Sequence, residues 1–383
     1  MPPVNALDIG SVVLGLVVLI GGGEALVRGA SGLATRLGVP SLVIGLVIVS
    51  ASTSAPELSV TIGAVLDNEP DLAVGNAVGS NIVNVLLILG ASALLLPLAV
   101  KRRLVRFDIP VMVGISILLL LLGFDGEITQ LDGGVLLLAA VGHIVLSFTV
   151  SRGEPNGPPA VESPSPPNRK VRPRWQGVLI GAALIALGIA LLVLGARLLV
   201  SGATNIASSL GVSSLIIGLT VVAIGTSLPE LATSLIAVRR GERDIAVGNI
   251  VGSNIFNLGF VLGLTALFVP AGIPVAQPAI ALDIPLMIAA AVALLPIAFT
   301  GFTIRRWEGA VFIALYVAYT VYLVLAATQH QALQGFTIVM LYFTLPLLAV
   351  TLIAVTAYEI GVIRGRKHAA PASPPNYDDT DAI

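Results

Sequence analysis

The chain has 383 residues, of which 56% are hydrophobic and only 11% charged, with a formal net charge of −1. Soluble domains carry about 25% charged residues, so a water-facing globule is excluded, and the near-zero net charge argues against nucleic acid as a partner. With no cysteine in the sequence, disulfides, thiolate metal centres and a cysteine nucleophile are excluded as well.

The first apolar run follows Met1-Pro2-Pro3-Val4-Asn5-Ala6-Leu7-Asp8, which lacks the basic flank and cleavage site of a signal peptide. It is therefore expected to be a permanent span. Runs of about 20 apolar residues, enough to cross roughly 30 Å of hydrocarbon, then recur along the chain. Ten spans are predicted at 9–35, 38–66, 71–98, 107–124, 132–150, 177–203, 213–238, 244–269, 279–299 and 307–327, and an eleventh at 334–363. Residues 151–174 are rich in Pro and Ser and read as a flexible linker. The tail from His368 is Pro-rich, then acidic, and is expected to be disordered.

Lys and Arg alternate in their placement. With the N-terminus outside, the inner loops hold Arg36, Lys101 to Arg106, Arg152 with Arg169 to Arg174, Arg239 to Arg243, Arg305 with Arg306, and Arg364 to Lys367. The outer loops at Asp67–Glu69, at Asp125–Asp132 and around Pro270 hold none. The positive-inside rule thus places the N-terminus outside and the C-terminus inside.

The two halves repeat one another without a gap. Thr53-Ser54-Ala55-Pro56-Glu57-Leu58 matches Thr226-Ser227-Leu228-Pro229-Glu230-Leu231, and Ala73–Ile82 matches Ala246–Ile255. A weaker echo pairs Asp108-Ile109-Pro110 with Asp283-Ile284-Pro285. Each unit holds five spans, and an odd number makes the second unit enter the membrane from the opposite side. The expected fold is an all-α membrane protein of two inverted-topology repeats of five transmembrane helices, plus an eleventh C-terminal helix. The expected organisation is 1–150 first repeat, 151–175 cytoplasmic linker, 176–328 second repeat, 329–367 additional transmembrane helix and 368–383 cytoplasmic tail. Inverted repeats characterise secondary transporters, with the site near the midplane where the repeats meet.

Polar residues inside spans carry the chemistry. Glu57 and Glu230 lie within spans two and seven, where a carboxylate costs at least a few kcal/mol and is a functional-site hypothesis by default. Thr53 and Glu57 are spaced i, i+4 on one helical face, as are Thr226 and Glu230. Pro56 and Pro229 have no N–H to donate, which frees the carbonyls of Ser52 and Gly225. Irregular backbone at this depth survives where it lines a cavity. Asn76, Ser80 and Asn84 form a stripe in span three, repeated by Asn249, Ser253 and Asn257 in span eight. Asn76, Asn81, Asn249 and Asn254 are expected to bridge helices, and Asn84 and Asn257 to act as ligands. Gly75 with Gly79 and Gly248 with Gly252 make Gly-xxx-Gly packing faces. These donors are all hard oxygens, which suits Ca²⁺, Na⁺ or a similar cation. His143, His330 and His368 have no metal-ligand spacing, and His143 reads as packed or lumen-facing. Glu24, Arg28 and Arg197 read as structural.

Two copies of Thr-Ser-x-Pro-Glu, each followed by Gly-Asn-x-x-Gly-Ser, resemble the alpha-repeats of the calcium/cation antiporter superfamily. The likeness to prokaryotic sodium/calcium exchangers extends over residues 9–327. The resemblance implies a Ca²⁺ site centred on Glu57 and Glu230, with the backbone carbonyls of Ser50 and Ala223 and the side chains of Thr53 and Thr226. It implies flanking Na⁺ sites involving Ser54, Ser80, Ser227 and Ser253, with Asn84 at the centre. Asn257 departs from the pattern, standing where prokaryotic exchangers carry an aspartate. Ser52 replaces a usual glycine.

The expected function is a secondary antiporter exchanging Ca²⁺ for Na⁺ by alternating access in a prokaryotic-type plasma membrane. The same fold coupled to H⁺ is the alternative, and a cation channel a lesser one. A carboxylate-based intramembrane enzyme would leave the amides and hydroxyls unexplained, so no enzyme activity is expected. No cofactor is expected beyond the transported ions, and no partner beyond the lipid bilayer and small cations.

Overall fold

The computed structural model describes residues 5–151, 174–211, 221, 223–299 and 301–368. Most of the linker, the start of the seventh span and the tail beyond His368 lie outside these residues. Helix α1 covers Ala6–Leu37; α2, Ser41–Thr53; α3, Ala55–Leu66; α4, Pro70–Leu95; α5, Leu104–Leu122; and α6, Gln130–Thr149. Helix α7 follows at Trp175–Ser209, then α8 at Leu228–Arg239, α9 at Arg243–Leu267, α10 at Ala279–Ala298, α11 at Arg306–Ala327 and α12 at Ala332–Thr351. Nine of the described helices are long and apolar enough to cross a membrane, and ten if α2 and α3 are counted as one bent span. The chain is thus a mostly helical, multi-pass membrane protein. The seventh predicted span, 213–238, is seen only in its second half, as α8.

Local chemistry sets the breaks. Gly38 takes a left-handed conformation (φ 68°) to end α1, its amide bonding the Ala34 carbonyl. Ser54 leaves helical geometry (φ −82°, ψ 5°) between α2 and α3, and the two helices bend by 41°. Pro56 sits in the first turn of α3, where its missing N–H costs least. Pro229 holds the same place in α8.

The helices α1 and α7 pack antiparallel along a glycine seam. A Cβ on Gly15 would fall 2.7 Å from the Leu199 amide, one on Gly22 2.8 Å from the Leu192 amide, and one on Gly29 2.8 Å from the Gly181 carbonyl. Lipid removes most of the hydrophobic drive for helix association, so close backbone approach at small residues has to hold such a pair. The glycines recur every seven residues on both helices, at 15, 22, 29 and at 181, 188, 195, 202.

Exchange symmetry runs through the rest of the molecule. Gly90 meets Gly309 and Gly133 meets Gly263, each a tight backbone contact between the halves. Two short antiparallel ribbons, absent from the sequence reading, join the halves at the helix ends. They pair β1 (Leu98–Ala99) with β4 (Thr303–Ile304), and β2 (Glu127–Ile128) with β3 (Ile273–Pro274). Each ribbon takes one strand from each half, so swapping the halves exchanges the ribbons. Helix α12 lies on the outside of the bundle and buries nothing in its most apolar stretch.

Candidate functional site

The breaks at Ser54 and Ser227 place Glu57 and Glu230 one turn into α3 and α8, at the centre of the bundle. Both are fully buried. Each takes a hydroxyl from the opposite half: Ser227 Oγ lies 3.5 Å from Glu57 Oε1, and Ser54 Oγ lies 3.4 Å from Glu230 Oε1. The carboxylates are close enough to repel each other, and Thr53 Oγ1 lies 3.5 Å from Ser253 Oγ. The ion pairs among the described residues involve Glu24, Asp108 and Asp244; none reaches Glu57 or Glu230.

Helices α4 and α9 cross beside these carboxylates. Asn84 and Asn257 sit where each helix loosens into a π-helical turn, Val83–Leu89 and Asn257–Leu262, a local form frequent at functional sites. Their amide nitrogens are tied across the pseudo-two-fold: Asn84 Nδ2 donates to Asn254 Oδ1 at 3.0 Å, and Asn257 Nδ2 to Asn81 Oδ1 at 3.1 Å. Those bonds fix which end of each amide is free. Asn84 Oδ1 and Asn257 Oδ1 are buried without a hydrogen-bond partner among the described residues, as are Glu57 Oε2 and Glu230 Oε2. Four unpaired buried oxygens, related in pairs by the exchange of halves, are thus held among hydroxyls with no cationic side chain.

The remaining asparagines bridge helices. Asn76 donates to the Glu57 carbonyl at 3.1 Å and to Thr61 Oγ1 at 2.9 Å. Asn249 donates to Ser234 and accepts from Thr53. Asn81 donates to the Asn254 carbonyl, and Asn254 Nδ2 reaches the Met112 sulfur. Ser80 and Ser253 are buried on the same helices. The backbone carbonyls are placed unequally. Ser50 O accepts the Ser54 amide, whereas the Ser227 amide turns to Ile224 O and not to Ala223 O.

The two ends of the bundle around this site differ. Where α2 meets α9, Gly248 and Gly252 are buried and back directly onto the backbone of Leu42 and Leu46. At the opposite end, where α3 turns into α4, Gly75 is exposed and Thr226 half-buried. Thr226 borders two cavities there. One, of about 550 Å³, also touches Pro56, Ser59 and Arg197. The other, of about 370 Å³, also touches Asn76, Ser80 and Asp283.

The sequence reading missed one buried polar cluster. Arg103 Nε lies 3.7 Å from Asp108 Oδ2, His143 Nε2 lies 2.9 Å from Asp108 Oδ1, and Arg103 Nη2 donates to the Ser147 carbonyl at 2.7 Å. The signal was the Asp108-Ile-Pro echo, which marked Asp108 as repeated without naming its partners. Its counterpart Asp283 accepts a 2.8 Å hydrogen bond from Tyr319. Two of the residues expected to be structural meet partners: Glu24 pairs with Arg28, and also with Arg240, tying α1 to the end of α8.

The sequence matches the sodium/calcium exchanger protein family over residues 7–149 and again over 180–325. It is 40% identical to the inner membrane protein YrbG of Escherichia coli over 258 residues, covering 67% of this chain and 79% of that protein. It is 34% identical to the sodium/calcium exchanger MaX1 of Methanosarcina acetivorans over 342 residues, covering 81% of this chain and 96% of that one. Its structure superposes on the sodium-calcium exchanger NCX_Mj, soaked with Na⁺ and Sr²⁺, with a TM-score of 0.69 and 32% identity over 81% of this chain and 96% of that one. Paired halves, buried oxygens without counter-charge and this breadth of likeness agree: the chain belongs to the sodium/calcium exchanger family and is a multi-pass membrane antiporter of cations including Ca²⁺, not an enzyme.

Proposed function

We propose that this protein exchanges Ca²⁺ for Na⁺ by alternating access, with the transported ions bound between Glu57, Glu230, Asn84 and Asn257. The observation that supports this most is the set of four buried oxygens on these residues that have no hydrogen-bond partner among the described residues. A buried carboxylate without a cation is costly, and Ca²⁺ takes about 6–8 oxygens. The hydroxyls of Thr53, Ser54, Thr226, Ser227, Ser80 and Ser253, with the carbonyls of Ser50 and Ala223, bring the oxygens on offer above what one Ca²⁺ needs, and those it does not use serve Na⁺. Two carboxylates neutralise one Ca²⁺.

With the N-terminus outside, the loop from α3 to α4 is external. The cavities beside Thr226 then face outward, and the contact of Leu42 and Leu46 on Gly248 and Gly252 closes the inner side. Residues 1–150 and 176–328 act as the two repeats. Helices α1 and α7 move as one body, because their glycine seam leaves no room to slip. An occupied site cancels the central charge and lets this pair slide; an empty, doubly charged site resists, which enforces exchange over leak.

Asn257 favours a second reading on the counter-ion. With two central acids in place of three, the protein moves fewer Na⁺ per Ca²⁺, or couples to H⁺. The test is ⁴⁵Ca²⁺ uptake into proteoliposomes under separately imposed Na⁺ and H⁺ gradients, with membrane current recorded. Uptake driven by Na⁺, with less charge moved than three Na⁺ per Ca²⁺ would carry, is expected. A current matching three Na⁺ per Ca²⁺ refutes the stoichiometry, and uptake driven by H⁺ alone refutes Na⁺ as the counter-ion.

A further inference from the structure

The two halves each carry a carboxylate at the start of a span, Asp108 and Asp283, in matching Asp-Ile-Pro sequences. Their surroundings have diverged. Asp108 is fully buried and faces Arg103 and His143. Asp283 is half-buried, on the wall of the cavity of about 370 Å³ that also touches Thr226. Its Oδ1 accepts the Tyr319 hydroxyl at 2.8 Å, its Oδ2 has no hydrogen-bond partner among the described residues, and no Lys or Arg among them pairs with it. Tyr319 stands where the first half has His143, and no arginine among the described residues meets Asp283 as Arg103 meets Asp108.

The cavity runs from this carboxylate to Ser80 and Thr226. Ser80 borders it, is 2% exposed, and its hydroxyl makes no hydrogen bond among the described residues. Asn76 and Thr320 add further polar wall. An unneutralised carboxylate at one end and an unpartnered buried hydroxyl at the other are features that a passing cation, not a packed interior, accounts for.

We propose that Asp283, backed by Tyr319, is a second cation-binding station, which takes a small hydrated metal cation from the outer solution before it reaches Glu57 and Glu230. That it lies on the entry route rests on the outward-facing reading above; that it binds a cation does not. The two halves then differ in charge at this position. The second carries a free carboxylate, whereas the matching position in the first half is neutralised within the protein. The station raises the local concentration of cations on one side of the membrane, as clefts lined by one sign of charge do.

Tyr319 supplies the test. Tb³⁺ is a stand-in for Ca²⁺ whose emission is sensitised by a tyrosine a few ångströms away. The full-length chain is purified in detergent with both central acids replaced, Glu57→Gln/Glu230→Gln, and titrated with Tb³⁺ alone. Tyrosine-excited Tb³⁺ emission that excess Ca²⁺ displaces is expected. Adding Asp283→Asn, which keeps an acceptor for Tyr319, should cut it at least several-fold; Tyr319→Phe, which keeps the carboxylate, should cut the sensitisation while leaving Tb³⁺ bound, as read by direct excitation. Emission unchanged by Asp283→Asn overturns the station. Because the central acids are absent, this arm decides the station whether or not the transport reading holds. In proteoliposomes, Asp283→Asn alone should raise the external Ca²⁺ needed for half-maximal exchange about 30-fold, the factor that one carboxylate at about 4 Å in water supplies to a doubly charged ion. An unchanged external requirement, with emission lost, leaves a cation site but overturns its place on the route.

Discussion

Two buried polar clusters sit in this bundle, and they differ in a way that separates site from scaffold. Around Glu57 and Glu230, two carboxylates have no cationic partner among the described residues, and four oxygens have no hydrogen bond among them. Around Asp108, some atoms also lack a hydrogen bond, Asp108 Oδ2 and Arg103 Nε among them, but the carboxylate meets Arg103 and His143, and Arg103 is further tied to the Ser147 carbonyl. Both are equally hidden from solvent. Burial alone therefore does not mark the functional group; charge left uncompensated does. A scaffold cancels its buried charges within the protein, whereas a transport site leaves them for the cargo to cancel.

The largest effect should come from removing that uncompensated charge. Glu57→Gln or Glu230→Gln preserves shape and hydrogen-bonding size but leaves one carboxylate for a divalent ion. At an effective dielectric of about 20, which serves for buried sites too, one charge at 4 Å is worth about 4 kcal/mol, so ⁴⁵Ca²⁺ exchange in proteoliposomes should fall on the order of 100-fold or more. Because the variants also relieve repulsion between the two acids, the folded protein should unfold at the same or a higher temperature. Normal exchange by both variants would falsify the assignment of the site.

How much of this contrast was legible in the sequence depends on distance along the chain. Glu57 and Glu230 stood out because a charge inside an apolar run needs no partner to be noticed, and because the repeat printed it twice. The bridging roles of Asn76 and Asn249 followed from a stripe spaced by four on one helix. What the sequence could not display was pairing between spans. Asp108 and His143 are 35 residues apart, on helices whose relative rotation is set by packing, and nothing local joins them. The free ends of Asn84 and Asn257 were hidden for the same reason: each amide is oriented by an asparagine of the other half, Asn254 or Asn81. The ribbons escaped notice because strands of two residues carry no periodicity. The heptad glycines of α1 and α7 were in plain sight, yet their use as a seam emerges only when the two helices are seen antiparallel.

The second prediction reverses the first. Arg103→Ala strips the counter-charge from Asp108 and leaves a buried carboxylate unpaired, which typically costs about 3–5 kcal/mol. The purified variant should lose much of its thermal stability in detergent. An Arg103→Gln/Asp108→Asn pair, with no charge left to strand, should recover most of the loss. Protein that remains folded should bind Ca²⁺ with wild-type affinity, because this cluster cancels its own charge. A variant that keeps full stability but loses Ca²⁺ affinity would move Asp108 from the scaffold to the site.

The smallest effect belongs to His143. Its Nε2 holds Asp108 Oδ1 at 2.9 Å and its ring stacks on Phe107 with centroids 5.8 Å apart. His143→Gln retains a donor for Asp108 but loses the stack, so the cost should be about 1 kcal/mol, the size of a single ordinary interaction. In a chain this long that is a shift of only a few degrees in unfolding temperature. The informative reading is the one that stays still: half-maximal Ca²⁺ for exchange should remain within two-fold of wild type at every external pH tested. Asp108 keeps Arg103 as its partner when His143 is gone, so no charge is released to act on the central oxygens. A Ca²⁺ requirement that moved with His143 while stability held would mean that the two clusters communicate, and the division between compensated scaffold and uncompensated site would have to be redrawn to include both.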